Sequence, residues 1–183
     1  MNFKKDFPLM LVSFLILFLE LLMIRYISTE IRIFAYLSNL LLLAIFAGSS
    51  AGMMIKKKID VSQTAVGLFL VSVLTTMAYI VRLPKLEFKI FSGITELLVP
   101  LSEEHIWGQI GTYSITGIII GLILAMGVLG LVAGVFVPLG QLMGKYLDGH
   151  KKPLWAYSVN ILASILGMWA FQGLSLLRIS PLF

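Results

Sequence analysis

The chain contains no cysteine, and charged residues are scarce. Without cysteine it forms no disulfide, has no thiolate nucleophile and binds no metal through cysteine. Aspartate, glutamate, lysine and arginine make up only 13% of the 183 residues, whereas soluble domains carry roughly 25%. Hydrophobic residues make up 59% of the chain and its mean hydropathy is +1.00. This balance is typical of an integral membrane protein and excludes the soluble classes.

Five long apolar segments follow one another along the sequence. Each is about as long as a helix that crosses a hydrocarbon core of roughly 30 Å at about 1.5 Å per residue. We therefore predict an all-α bundle of five transmembrane helices forming a single transmembrane domain over residues 1–183. The predicted spans are 7–26, 33–55, 62–82, 112–136 and 154–177.

Two features between the spans modify this simple plan. Pro138 lies inside the fourth apolar segment, where it is predicted to kink or end the helix, so that residues 137–147 form its exit. The one long connection, 83–111, carries apolar residues at roughly helical spacing. We expect it to form an amphipathic helix on the outer side of the bundle.

The distribution of lysine and arginine predicts the orientation. With the N-terminus in the cytoplasm, the inner loops hold eight lysines against three aspartates, while the outer half balances six basic with six acidic residues. This asymmetry favours a cytoplasmic N-terminus and, with five spans, an outer C-terminus. The net charge of +5 then reflects loop placement, and we expect no nucleic-acid partner.

Glu20 and Arg25 lie near the outer end of the first span. They are five residues apart, about 140° around a helix, and so do not form the favoured i,i+4 ion pair. Arg25 can extend to the interface, whereas the deeper Glu20 needs a partner from another helix or must carry a proton. Two interpretations stay open for Glu20: a structural polar contact between helices, or a ligand or proton site.

Two further polar side chains fall in the apolar segments, Asn160 and Gln141. We predict that each hydrogen-bonds to a neighbouring helix. Small residues recur every four positions in three of the spans, which lets helix backbones approach closely in lipid. Helix packing is the favoured interpretation of these positions, and a glycine-lined pathway is the alternative. The glycines are Gly48, Gly52, Gly117, Gly121, Gly130, Gly134 and Gly167.

No catalytic or metal-binding pattern is visible. The two histidines, His105 and His150, are predicted on opposite sides of the membrane, so they cannot share a metal or a haem iron. No nucleophile, histidine and acid are arranged for catalysis. We therefore expect no catalytic residue, no metal and no cofactor in this chain.

Three passages in order resemble one family. They are residues 18–52, with Glu20, Arg25 and the Gly48 and Gly52 pair; residues 136–141; and residues 156–169. Together they resemble the N-terminal membrane region of the polytopic spermidine-synthase-like proteins of bacteria. The resemblance covers most of the chain except 56–110, and it implies a location in the bacterial cytoplasmic (inner) membrane.

The resemblance implies a soluble partner domain that this sequence lacks. Members of the family usually carry a spermidine-synthase-type aminopropyltransferase domain with a Rossmann-like fold after the membrane region. No strand, glycine loop and helix unit is visible here, so none of that activity transfers to a residue of this chain. We expect either a membrane fragment of a longer protein or a gene that stands alone.

We therefore predict a non-catalytic membrane domain or subunit that anchors or positions a partner. The expected partners are membrane lipid and another protein chain or a missing soluble domain. One alternative is a small transport or ligand-binding module that uses Glu20, with Asn160 and Gln141 lining a polar cavity. Another is a structural subunit of a larger membrane complex.

Overall fold

The protein is all-helical in a computed structural model, as predicted. The structure describes residues 3–30, 34, 37–55, 62–80, 115–150 and 152–177. Within these ranges the chain forms five α-helices in the predicted order. They are α1 (Phe3–Glu30), α2 (Ser38–Met54), α3 (Ser62–Ile80), α4 (Ile115–Asp148) and α5 (Pro153–Leu176).

Among the described residues, three helices are long and apolar enough to cross a membrane. These stretches are Asp6–Thr29 in α1, Ala125–Asp148 in α4 and Pro153–Leu176 in α5. Two shorter apolar stretches, Ser38–Met54 and Ser62–Val73, make up α2 and most of α3. The structure therefore supports a multi-pass membrane protein.

The ends of the first two helices are marked by local hydrogen bonds. α1 continues past the predicted span to Glu30, and near its end the hydroxyl of Thr29 donates to the carbonyl of Tyr26 at 2.8 Å. α2 begins at Ser38, and in its first turn the amide of Leu40 donates to the carbonyl of Leu37.

α4 does not end at Pro138, which was one of the two outcomes predicted for this proline. The helix runs unbroken for 34 residues to Asp148, with Pro138 buried inside it. A proline lacks the amide that would bond to the carbonyl four residues earlier, here Gly134. One residue further, Thr64 of α3 donates its hydroxyl to the carbonyl of Val135 at 3.1 Å. Membrane helices tolerate proline when neighbouring side chains supply such bonds.

Several predicted features lie outside the part of the chain that the structure describes. The amphipathic helix expected over 83–111 falls there, as does His105. Gly117 and Gly121 lie within α4, but their surroundings are also outside the description.

The first and last helices pack side by side and run in the same direction. Asp6 meets Trp155 at one end, Gly167 lies against Phe14 in the middle, and Arg25 meets Ser175 at the other end. In each of these three contacts, the residue of α5 follows the residue of α1 by about 150 positions in the sequence. α1 and α5 therefore form a parallel pair.

α2 and α4 form a second parallel pair, and α3 packs on α4. Gly48 lies against the backbone of Ala133, and Gly52, one turn later, lies against that of Val137. Gly67 of α3 lies beside Val135, and a Cβ atom added at Gly67 would be 2.6 Å from a methyl group of Val135. α4 therefore holds both α2 and α3.

The hydrophobic core forms where α1, α2, α3 and α4 meet. Its members are apolar side chains that are at most 5% exposed. They are Met23, Ile27, Phe34, Leu41, Ile45, Val71, Val132, Val135, Phe136 and Leu139. Large apolar side chains on the far side of α5, among them Leu162 and Trp169, are more than half exposed. In a membrane protein this outer surface faces lipid.

Candidate functional site

Glu20 lies on the face of α1 that turns towards the other helices. Buried residues on this face recur every three or four positions, and Ser13, Glu20, Met23 and Ile27 all belong to it. That spacing follows one side of an α-helix. Glu20 is only 4% exposed, so its carboxyl group is held inside the bundle and not against lipid.

The described residues include five buried polar side chains, and four of them have a hydrogen-bond partner. The five are Asp6, Ser13, Glu20, Ser49 and Thr64. Ser13 donates to the carbonyl four residues earlier at 2.8 Å, and Ser49 to the carbonyl three residues earlier at 3.1 Å. Thr64 donates across to α4, as described above. Each hydroxyl hydrogen is therefore used within the helices.

Asp6 is held by two side chains at the start of the last helix. The Nε2 atom of His150 lies 2.9 Å from Oδ1 of Asp6, and the indole Nε1 of Trp155 donates to Oδ2 at 3.4 Å. The side chains of Asp6 and His150 are each only 12% exposed. This cluster ties the beginning of α1 to the turn between α4 and α5.

Glu20 differs from the other four buried polar residues. No hydrogen bond or ion pair joins it to any described residue. Arg25, the nearest cation on the same helix, donates Nη1 to the hydroxyl of Ser175 at 2.6 Å and lies 6.0 Å from the ring centre of Phe171. Arg25 is exposed and directed to α5, so it leaves Glu20 uncompensated.

The helices around α1 supply no other counter-charge in the described part of the chain. α2, α3 and α5 contain no charged residue at all. The described charges of α4, Lys145 and Asp148, lie in its last turn. Glu20 is therefore a buried carboxyl group without a charged partner among these residues.

Asn160 and Gln141 do not join Glu20. Because α1 and α5 are offset by about 150 residues, Glu20 is level with about residue 170 of α5, and Asn160 lies roughly 15 Å away along the axis. The Oδ1 atom of Asn160 is buried without a hydrogen-bond partner. Gln141 instead packs its backbone against α2 at Gly52.

Glycines divide into two groups by what surrounds them. A Cβ atom added at Gly48 or Gly52 would overlap a backbone carbonyl of α4, and one added at Gly167 would lie 2.6 Å from the carbonyl oxygen of Phe14. By contrast, a Cβ atom added at three glycines of α4 would meet no described residue within 4 Å. They are Gly127, Gly130 and Gly134.

These three glycines share one side of α4 with two exposed apolar residues. Ile123 and Met126 are each 63% exposed, and their spacing to the glycines places all five on one helical face. We call Ile123, Met126, Gly127, Gly130 and Gly134 the open face of α4. Its surface is flat at the glycines, and a second helix has room to approach there closely.

The described residues contain no arrangement that points to catalysis or metal binding. No group of three histidine, cysteine, aspartate or glutamate side chains lies close enough to hold a metal ion within these ranges. His150 serves a pair with Asp6. Sequence reasoning did not find that pair, because its two members lie at opposite ends of the chain and no local spacing relates them.

Comparison with known proteins finds no family model, no curated protein and no solved structure that matches this chain. The resemblance to spermidine-synthase-like membrane regions therefore stays a prediction.

Proposed function

We propose that the chain is a non-catalytic membrane domain that anchors or positions a protein partner. The open face of α4 carries this proposal. Three glycines lie on it with no atom of the described chain within 4 Å of an added Cβ atom, although glycine is a poor helix former that costs about 1 kcal/mol relative to alanine in a helix interior. A partner helix packed on this face would give the glycines the role that Gly48 and Gly52 already have against α4.

In this proposal the five helices cross the membrane alternately, with the N-terminus in the cytoplasm and the C-terminus outside. The parallel direction of α1 and α5, and of α2 and α4, is what alternating crossings require. α2 has 17 residues and α3 has 19, near the lower end of the roughly 17 to 25 residues that span a bilayer. The membrane proposed is the bacterial inner membrane.

The resemblance to spermidine-synthase-like proteins supports a partner with an enzyme domain. Such a domain would be an aminopropyltransferase of the spermidine-synthase type, and the described residues of this chain would contribute none of its chemistry. The bundle would hold that domain at the membrane surface through helix contacts on the open face. A partner with membrane helices alone would instead make this chain a structural subunit of a larger complex.

A transport module that uses Glu20, Asn160 and Gln141 together is less well supported. A substrate path needs several polar groups that converge near the middle of the membrane. Within the described residues, Asn160 lies roughly 15 Å along the bundle from Glu20, and Gln141 packs on α2. Glu20 and Asn160 therefore do not lie at the same depth of the bundle.

Site-directed cross-linking tests the proposed docking face. The chain has no cysteine, so single cysteines can be introduced without any background reaction. Met126→Cys places a thiol on the open face, and the matched control Leu162→Cys places one on α5 at the same exposure, 63%. A thiol-reactive photo-cross-linker would be applied to intact membranes, and adducts would be identified by peptide mapping.

We expect Met126→Cys to cross-link to a second protein species at least tenfold more efficiently than Leu162→Cys. A species with a nucleoside-binding enzyme domain would support the anchoring role in full. Equal cross-linking at both positions, or adducts formed only with lipid or with a second copy of this chain, would overturn the proposal.

A further inference from the structure

We propose that Glu20 is the binding site for a single monovalent cation, either a proton or an alkali metal ion. Of the five buried polar side chains in the described residues, Glu20 is the one without a hydrogen-bond partner. It is also only 4% exposed. A carboxyl group in this position needs an occupant that the described chain does not provide.

The surroundings leave the charge of a carboxylate uncompensated. Taking an ion out of water into an apolar interior is strongly unfavourable unless an opposite charge or several hydrogen bonds replace the water. On the same helix, Arg25 is bonded to Ser175 and lies beside Phe171. A bound cation would supply the compensation that Arg25 does not.

The helices packed against α1 carry few charged or titratable groups in their described parts. α2, α3 and α5 carry no charged residue, and the titratable residue of α3, Tyr79, is the last but one of that helix. The charged and titratable groups in the described part of α4, Lys145, Tyr146 and Asp148, lie in its last turns. On α5 the titratable group is Tyr157, which is exposed near the start of that helix. None of these groups places a positive charge level with Glu20, so the occupant must come from outside the described bundle.

A single positive charge fits this site better than a divalent ion does. Calcium takes six to eight oxygen ligands, several of them carboxylates, and magnesium also needs an ordered octahedral shell. The described residues contain no group of three side chains that could hold a metal ion in this way. One carboxyl group matches one proton or one weakly held alkali ion in charge.

A hydrophobic carbodiimide is the probe that tests the site. The reagent reaches carboxyl groups inside a bilayer and reacts with their protonated form. The acidic proton moves to a carbodiimide nitrogen while the carboxyl oxygen bonds to the central carbon, and the acyl group then migrates to nitrogen. No group leaves, so the modified peptide gains the full mass of the reagent and is identified by mass spectrometry.

The reaction would be followed in intact membranes and again after extraction in mild detergent. Asp6 is an internal control, because it is a second buried carboxylate but is paired with His150 and Trp155. Glu20→Gln removes the reactive group and keeps the size of the side chain. Gel filtration would show whether this variant folds, and the measurements on the unmodified chain do not depend on it.

We expect Glu20 to be labelled at least tenfold faster than Asp6. If sodium or potassium slows the labelling of Glu20 at constant pH by tenfold or more, the occupant is an alkali ion. If raising the pH slows it and neither salt has an effect, the occupant is a proton. Absence of labelling at Glu20 in both membranes and detergent, or labelling that responds to neither pH nor salt, would overturn the proposal.

Discussion

Two glycine-bearing surfaces of this bundle have the same spacing and different surroundings. Where α2 meets α4, Gly48 and Gly52 lie directly against backbone carbonyls of the neighbouring helix. On the open face of α4, Gly130 and Gly134 are also four residues apart, yet among the residues that the structure describes nothing lies within 4 Å of an added Cβ atom. One surface is already a helix contact, and the other has the geometry for one.

The difference shows that spacing alone does not identify a glycine's role. Gly48 and Gly52 follow Leu41 and Ile45 on the buried face of α2, so neighbouring apolar residues hold that face against α4. The open face of α4 instead includes Ile123 and Met126, which are largely exposed. Substitutions of equal size on the two surfaces should therefore have unequal effects on stability.

The largest loss of stability is expected for Gly52→Val. The new side chain would overlap the carbonyl oxygen of Val137, and neither backbone can move without separating α2 from α4. Overpacking of this kind costs roughly 3 kcal/mol. Unfolding in mixed micelles with increasing dodecyl sulfate would measure it. A stability equal to that of the unmodified chain would mean that α2 and α4 do not meet at Gly52.

A smaller loss is expected for Gly167→Ala in the pair formed by α1 and α5. The added methyl group would lie 2.6 Å from the carbonyl oxygen of Phe14, and a small shift of α5, which has an exposed outer side, relieves part of the overlap. We expect a loss of about 2 kcal/mol in the same unfolding assay. The matched control is Gly173→Ala, because in the described part of the chain nothing lies within 4 Å of its added Cβ atom.

The Asp6 cluster should contribute less than either glycine contact. Asp6→Ala removes the acceptor for both His150 and Trp155, and His150→Ala removes one donor. Hydrogen bonds to a charged group are worth about 1.5 kcal/mol or somewhat more, and His150 can bond to water once Asp6 is gone. A double-mutant cycle at Asp6 and His150 would measure the coupling. Strictly additive effects would show that the pair contributes nothing.

The smallest effect on stability is expected for Gly130→Val on the open face. The side chain has free space there, and valine and glycine differ in helix propensity by less than about 0.5 kcal/mol. The isolated chain should therefore unfold as before. The same variant should reduce cross-linking from Met126→Cys at least tenfold, because valine keeps a partner helix at a distance. Unchanged cross-linking would remove the open face from partner binding.

The helices themselves could be predicted from the sequence, because each is a long apolar run and the bilayer sets its length. The end of α4 could not be predicted from the sequence. Proline inside a helix is a stop signal in isolation, and the bond from Thr64 to the carbonyl of Val135 that accompanies Pro138 comes from a different helix. A contact between residues so far apart leaves no local pattern.

In the candidate site, too, some residues could be predicted from the sequence and others could not. Glu20 stands out in the sequence because it is one acidic residue among apolar neighbours. The partners of Arg25 and Asp6 do not stand out, because Ser175, His150 and Trp155 are ordinary residues until the parallel pairing of α1 with α5 places them. Polar groups within a span are predictable, and their partners require the three-dimensional structure.

The pairing of α1 with α5 also has a consequence for biosynthesis. The two ends of this contact, such as Asp6 and Trp155, are separated by 149 residues. A ribosome that adds about 5 to 20 residues per second needs roughly seven to thirty seconds to synthesise that stretch. During this time α1 is in the membrane without its last neighbour, and the surface around Phe14 is available to chaperones and membrane proteases. Closure of the bundle is therefore a late event, set by the arrival of α5.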